Sequence, residues 1–185
     1  MALTKTPVCD FGKKGLPFEL KSTDNKIISL DDIKGENGTL IMFICNHCPY
    51  VKAITKEIVE DCNELKKIGI NSVAICSNDF INYPEDSFDN MIKFSKDNQF
   101  SFPYLQDDTQ KIAKKYDAVC TPDFFGYDKD LGLQYRGRLR ELKKFVPVND
   151  GESDLLKAMR QIAETNNGPR EQIPSAGCGI KWKYD

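Results

Sequence analysis

The chain has 185 residues, 26 Lys and Arg against 28 Asp and Glu and a net charge of -2, enough for one domain with a sizeable core and no charge excess to draw it to nucleic acid or an anionic membrane. No run approaches the roughly 18 apolar residues of a membrane span. Met1 to Pro7 lacks the apolar core of a signal peptide, so a cytoplasmic location is expected.

In chain order, Pro17 to Lys21 and Lys26 to Leu30 read as extended stretches joined by the turn-forming Ser22-Thr23-Asp24-Asn25, an N-terminal hairpin. The apolar run Thr39 to Ile44 predicts a buried strand, and Tyr50, Val51, Ile54, Ile58, Val59, Cys62 and Leu65 recur at helical spacing after it. Gly69 suits the C-cap of that helix, and Ile70 to Cys76 is a second buried strand, which completes a βαβ unit. Pro84-Glu85-Asp86-Ser87 opens a further helix through Phe88, Met91, Ile92 and Phe94. A short strand at Phe102 to Leu105 and a helix through Ile112 and Ala113 to Tyr116 come next. Strands at Asp123 to Tyr127 and Gly132 to Tyr135 flank a turn, and Ser153 or Asp154 caps a last helix through Leu155, Met159 and Ile162. Asn166-Asn167-Gly168-Pro169 breaks the pattern, which divides the chain into a domain of residues 1–165 and a C-terminal tail of residues 166–185.

The chemistry concentrates between the first buried strand and its helix, at Cys45-Asn46-His47-Cys48-Pro49. Two thiols at this spacing can close a small disulfide ring, and the chain's one histidine lies between them, the makings of a reversible redox switch. A helix N-terminus offers unpaired N–H groups and about half a positive charge, which favours thiolate over thiol. Because a residue before proline is biased away from helix, Pro49 places Cys48 at the cap. His47, as an imidazolium beside a thiolate, would lower the thiol pKa and make the disulfide a better oxidant; the bland alternative is a polar turn residue.

Seven cysteines, an odd number without a secretion signal, argue against a structural disulfide framework. A zinc site would ordinarily show a second Cys-x-x-Cys or a His pair, so neither metal nor another cofactor is expected. Cys9, Cys62, Cys76 and Cys120 read as structural by default. Cys178, between Gly177 and Gly179, has the backbone freedom to reach the dithiol as a third redox thiol, against the alternative that the tail packs passively.

A βαβ unit, then a hairpin and a helix, with Cys-x-x-Cys on the first strand-to-helix turn, resembles the thioredoxin superfamily over roughly residues 15 to 165. The resemblance implies an α/β, thioredoxin-like fold: a central mixed β-sheet flanked by helices, here with the hairpin extension and the tail. It also implies a cis-proline facing the cysteines at the start of the second hairpin, and Thr121-Pro122 stands at the matching place as substrate-binding residues. It makes Cys45 the attacking thiol, whereas the capping argument favours Cys48, and both stay open. More narrowly, Phe43 to Val51, Asn78-Asp79 with Tyr83 to Ser87, and Pro174 to Lys183 are similar to a peroxiredoxin-like family of redoxins, of the alkyl hydroperoxide reductase and thiol-specific antioxidant kind. The Pro-x-x-x-Thr-x-x-Cys segment of peroxide-reducing members is missing in both registers: Ile41 and Cys45 precede Cys48, and Gly38 and Met42 precede Cys45. Ile44 stands where thioredoxins carry tryptophan, and the preceding strand has no acidic residue, which leaves proton transfer to His47 or water.

The expected activity is therefore a thiol-disulfide oxidoreductase acting on a protein or small-molecule disulfide with a separate thiol reductant. The alternatives are a thiol peroxidase with Cys48 as the peroxidatic cysteine and a non-catalytic binding protein on the same scaffold.

Overall fold

The computed structural model describes residues 3–184. After strand β1 (Leu3–Lys5), β2 (Glu19–Ser22) and β3 (Ile27–Ser29) form the expected antiparallel hairpin. Ser29 caps a short α1 (Leu30–Ile33) in a reciprocal capping box with Asp32. The βαβ unit is β4 (Gly38–Phe43), α2 (Pro49–Lys67) and β5 (Ile70–Cys76), with β5 parallel to β4. Gly69 turns the chain out of α2 at a φ of 80°, with the Asn37 side chain packed where a Cβ would stand.

The helix expected from Pro84 begins later. Pro84–Asp86 is a 3-10 turn, and Ser87 caps α3 (Phe88–Asp97). Next come β6 (Tyr104–Gln106), α4 (Lys111–Lys115), the two-residue β7 (Cys120–Thr121) and the hairpin of β8 (Asp123–Tyr127) and β9 (Leu133–Tyr135). A small hairpin of β10 (Leu142–Lys143) and β11 (Val146–Pro147) precedes α5 (Asp154–Thr165), whose cap is Ser153, and β12 (Ala176–Gly179) follows.

Seven strands form one mixed sheet in the order β3-β2-β6-β5-β4-β8-β9. Central β4 is buried along its whole length, as a near-continuous apolar strand should be when both faces are covered. Its side chains alternate. Leu40 and Met42 pack with Ile54 and Ile58 of α2 and Met159 and Ile162 of α5, while Ile41 and Phe43 face Ile112, Tyr116 and Phe125 on the other side. Two apolar layers thus clamp β4, and the loop leaving its C-terminal end is held in place.

Residues 166–185, set apart as a tail by composition, contribute β12 to a second sheet of order β1-β12-β7. Neither Gly177 nor Gly179 takes a positive φ. Gly177 instead lies so close to the Thr121 carbonyl that a Cβ would overlap it. These glycines serve close packing of an extended strand.

Candidate functional site

The loop from β4 to α2 carries Cys45, Asn46, His47 and Cys48, and Cys48 is the N-cap of α2 with Pro49 in its first turn. Opposite it, Thr121 ends β7, and the Thr121–Pro122 bond is cis. Thr121 touches both thiols: its Oγ1 lies 3.4 Å from Cys45 Sγ, and its carbonyl oxygen 3.2 Å from Cys48 Sγ. Cys178 Sγ, on β12, is 3.0 Å from Cys48 Sγ. The fold therefore brings together every residue singled out from the sequence: Cys45, His47, Cys48, Thr121, Pro122 and Cys178.

One principal residue was missed. Asp86, at the end of the 3-10 turn, is buried with its carboxylate beside His47, Oδ2 standing 2.7 Å from Nδ1. The contact is an ion pair whenever the imidazole is protonated. The Asn46 amide donates to Asp86 Oδ1 at 2.8 Å and Asn78 Nδ2 to Oδ2 at 2.8 Å. Tyr104 in turn donates to Asn46 Oδ1 at 2.9 Å. In sequence Asp86 reads as an ordinary first-turn acid. The resemblance spans it, in Tyr83 to Ser87, and spans Asn78, without giving either residue a role.

This environment pushes the two thiols apart. Cys48 is lowered to about 5, first by the Cys45 thiol beside it and then by the Cys178 thiol, the Val51 amide at the start of α2 and Thr121, against the opposing effect of burial. Cys45 is raised well above the ordinary thiol range by the neighbouring Cys48, by burial and by the charge of Asp86. Two thiols in contact share one ionisation, and the Cys178, Val51 and Thr121 contacts on Cys48, with burial and the Asp86 charge at Cys45, favour Cys48 as its holder. His47 is raised, chiefly by Asp86, and so keeps its charge to higher pH than a free imidazole. Tyr83 stacks on it at 5.9 Å with the rings 4° from parallel.

The remaining cysteines are chemically quiet. Burial pushes Cys62 and Cys76 up to about 12 and Cys9 up to about 11, and it raises Cys120 further, with Cys120 Sγ 3.6 Å from the Pro122 carbonyl. Cys45 Sγ, His47 Nδ1 and an Asp86 oxygen lie within 4.8 Å of one another and offer three donors to a cation, but the same carboxylate already answers Asn46, Asn78 and His47.

Cys45, Cys48 and Cys178 are each at most 3% exposed. Beside them opens a cavity of about 540 Å³ between Tyr50 and Ile54 of α2, Pro122, Ser175, and Leu142 and Phe145 of the small hairpin. Arg138, Arg140, Glu141 and Lys144 also line it, so its walls are part apolar and part charged, and it meets the site at Pro122, whose carbonyl accepts from Ser175 Oγ at 2.7 Å.

Residues 11–138 match the model of the AhpC/TSA family. An uncharacterized conserved protein from Geobacillus kaustophilus is 41% identical over 100% of this chain and 98% of its own, with a TM-score of 0.92. A hypothetical protein from Sinorhizobium meliloti 1021 is 31% identical over 98% of this chain and 100% of its own, with a TM-score of 0.91. The thioredoxin domain of a thiol-disulfide oxidoreductase from Bacteroides vulgatus is 15% identical over 68% of this chain and 86% of its own, with a TM-score of 0.58. The fold is thioredoxin-like. A search of curated proteins finds no match.

Proposed function

The chain belongs to the AhpC/TSA family, and from that premise we propose that it is a cytosolic thiol-disulfide oxidoreductase working through Cys45 and Cys48. The observation that carries this reading is the pair of thiols at the start of α2 with Thr121, next to the cis-proline, touching both sulfurs from the loop opposite. The cavity at Pro122, lined by apolar and charged side chains, is the place for the substrate's flanking groups.

The Cys48 thiolate attacks a substrate disulfide R–S–S–R′, forming Cys48–S–S–R and expelling R′–S⁻. His47, whose charged form Asp86 favours, gives that thiolate its proton. Cys45 then returns a proton to the imidazole, attacks Cys48 Sγ and expels R–S⁻, so that two protein thiols have been oxidised and one disulfide reduced. A separate thiol reductant reverses the cycle. Cys48 is the proposed nucleophile, as the capping argument has it, because its thiol is lowered at the N-cap of α2 while Cys45, the choice the thioredoxin resemblance implies, is raised by Cys48, by burial and by the charge of Asp86.

Mild oxidation is expected to form a Cys45–Cys48 disulfide that dithiothreitol reverses, and reduced protein is expected to turn over insulin disulfides. Peptide mapping after alkylation reads the first and turbidity the second. Free alkylation of both cysteines after oxidation, with peroxide turnover and a dimedone-trapped sulfenic acid on Cys48, gives the site to the peroxidase reading instead.

His47 and Asp86 act on this equilibrium in opposite directions. In His47→Ala the Asp86 charge faces Cys45 unshielded, Cys45 becomes a poorer leaving group, and the disulfide is harder to reduce by roughly tenfold in its equilibrium constant with glutathione. Asp86→Asn removes the charge and shifts the constant the other way. Equal constants in both variants and the wild type return His47 to the role of a polar turn residue.

A further inference from the structure

Cys178 is held against Cys48 by a strand fixed at both ends. β12 runs antiparallel between β1 and β7, with Cys178 in register with Leu3 on one side and Thr121 on the other. Ahead of it the Ser175 hydroxyl donates to the Pro122 carbonyl at 2.7 Å, and the Thr6 amide to the Ser175 carbonyl at 2.9 Å. Behind it the Lys181 amide donates to Asn78 Oδ1 at 2.9 Å, the same Asn78 that donates to Asp86. Gly177 lets the strand close onto Thr121, since any side chain there would strike the Thr121 carbonyl. The outcome is a sulfur 3% exposed and 3.0 Å from Cys48 Sγ, across 130 residues of chain.

We propose that Cys178 is a second resolving thiol, so that Cys48 is shared between two mutually exclusive disulfides, Cys45–Cys48 and Cys48–Cys178. The inference rests on the dithiol reading above and extends it. In the exchange Cys178 gives up its proton and attacks Cys48 Sγ of the Cys45–Cys48 disulfide. The Cys48–Cys178 bond forms as the Cys45–Cys48 bond breaks, and Cys45 leaves as the thiolate and takes the proton, with no net oxidation or reduction. Burial, and then the Cys48 thiolate itself, raise Cys178 to about 12 in the reduced protein. Once Cys48 is neutral in a disulfide the second of these causes is gone, and Cys178 ionises more readily at the moment it has something to attack. The exchange carries the disulfide from the side of His47 and Asp86 to β12, next to Ser175 and Ala176 at the cavity wall.

The test uses the full chain, oxidised with glutathione disulfide, alkylated and mapped. Cys45→Ser is expected to give a Cys48–Cys178 linked peptide, and the wild type to give both linkages. Because this cross-link spans 130 residues while the Cys45–Cys48 ring spans almost none, oxidised Cys45→Ser should melt roughly 5–10 °C above its reduced form. Cys45→Ser combined with Cys178→Ser should instead accumulate glutathione on Cys48. A stable Cys48–glutathione adduct in Cys45→Ser with Cys178 fully alkylated, and no Cys178 linkage in the wild type, overturns the proposal. Cys178→Ser separates the two levels: a Cys45–Cys48 disulfide formed there leaves the dithiol reading standing when the Cys178 role fails, and its absence brings down both.

Discussion

Cys48→Ser is expected to abolish insulin-disulfide turnover, by roughly 10³-fold or more, while leaving the protein as stable as the wild type or slightly more so. The two halves have separate causes. Serine does not ionise at neutral pH, so the group that attacks the substrate is lost outright. Cys48 is also the N-cap of α2, and its sulfur meets the Val51 amide without forming a well-aligned capping bond. Serine is among the preferred caps, and its hydroxyl can accept from an amide in the first turn, typically stabilising a helix by about 1 kcal/mol. A dead enzyme with an unchanged or raised melting temperature therefore identifies a chemical loss. In the wild type the rate of iodoacetamide labelling at Cys48 should reach half its plateau near pH 5 and stay flat above it, because its thiol is lowered to about 5. Cys48→Ser protein that keeps a tenth of wild-type turnover, or a wild-type labelling profile with its midpoint near the ordinary thiol value, would falsify the assignment and make Cys45 the nucleophile.

The sheet and its helices were legible where burial on both faces or a cap left a mark. β4 and β5 are apolar runs because helices cover both sides, and Ser153, Gly69 and the Pro49 turn stand where helix termini require them. The small hairpin of β10 and β11 was not legible. Its two-residue turn, Lys144-Phe145, has φ of 50° and 65°, a conformation ordinarily announced by Asn-Gly and here adopted by residues that give no such signal. β1, β7 and β12 are two to four residues long and show no alternation, so sequence pattern had nothing to detect. The dithiol is readable because it carries its chemistry locally, and Thr121-Pro122 because it stands where the thioredoxin resemblance implies a cis-proline. Asp86 was not, since its role comes from Asn46, Asn78 and His47 converging on it from other segments. For Cys178 the residue could be singled out, but its approach to Cys48 depends on the register of β12 with β7, and the glycines that suggested freedom are there for contact.

The loop bearing Thr121 and Pro122 hangs on a buried ion pair, and removing its cation should be the most destabilising single change near the site. Asp123, the first residue of β8, has no exposed surface; Arg136 grips both of its carboxylate oxygens, Nε to Oδ1 at 3.3 Å and Nη2 to Oδ2 at 3.0 Å. The same guanidinium donates to the Asp117 carbonyl at 2.7 Å and lies 4.4 Å over the Phe125 ring, so it ties together the start and end of the segment that carries Cys120 to Pro122. Arg136→Ala leaves the buried Asp123 carboxylate without its counter-charge, with only the Val119 amide donating to it at 3.3 Å, a change that costs about 3–5 kcal/mol and lowers the melting temperature by roughly 10 °C. Even with Arg136 present, burial outweighs the pair and raises Asp123 above its usual value. Without the arginine the carboxyl rises further. A carboxyl raised in the folded state favours folding while protonated and loses that contribution as pH climbs through its folded value, so the deficit of Arg136→Ala against the wild type should widen from pH 4 to pH 7. Denaturant titrations at the two pH values measure it. Adding Asp123→Asn to Arg136→Ala should recover much of the loss, because the unpaired charge is then gone. A deficit under about 1 kcal/mol, or a double variant as unstable as the single one at pH 7, would mean that the segment is held by the packing of Phe125 and β8 and not by this pair.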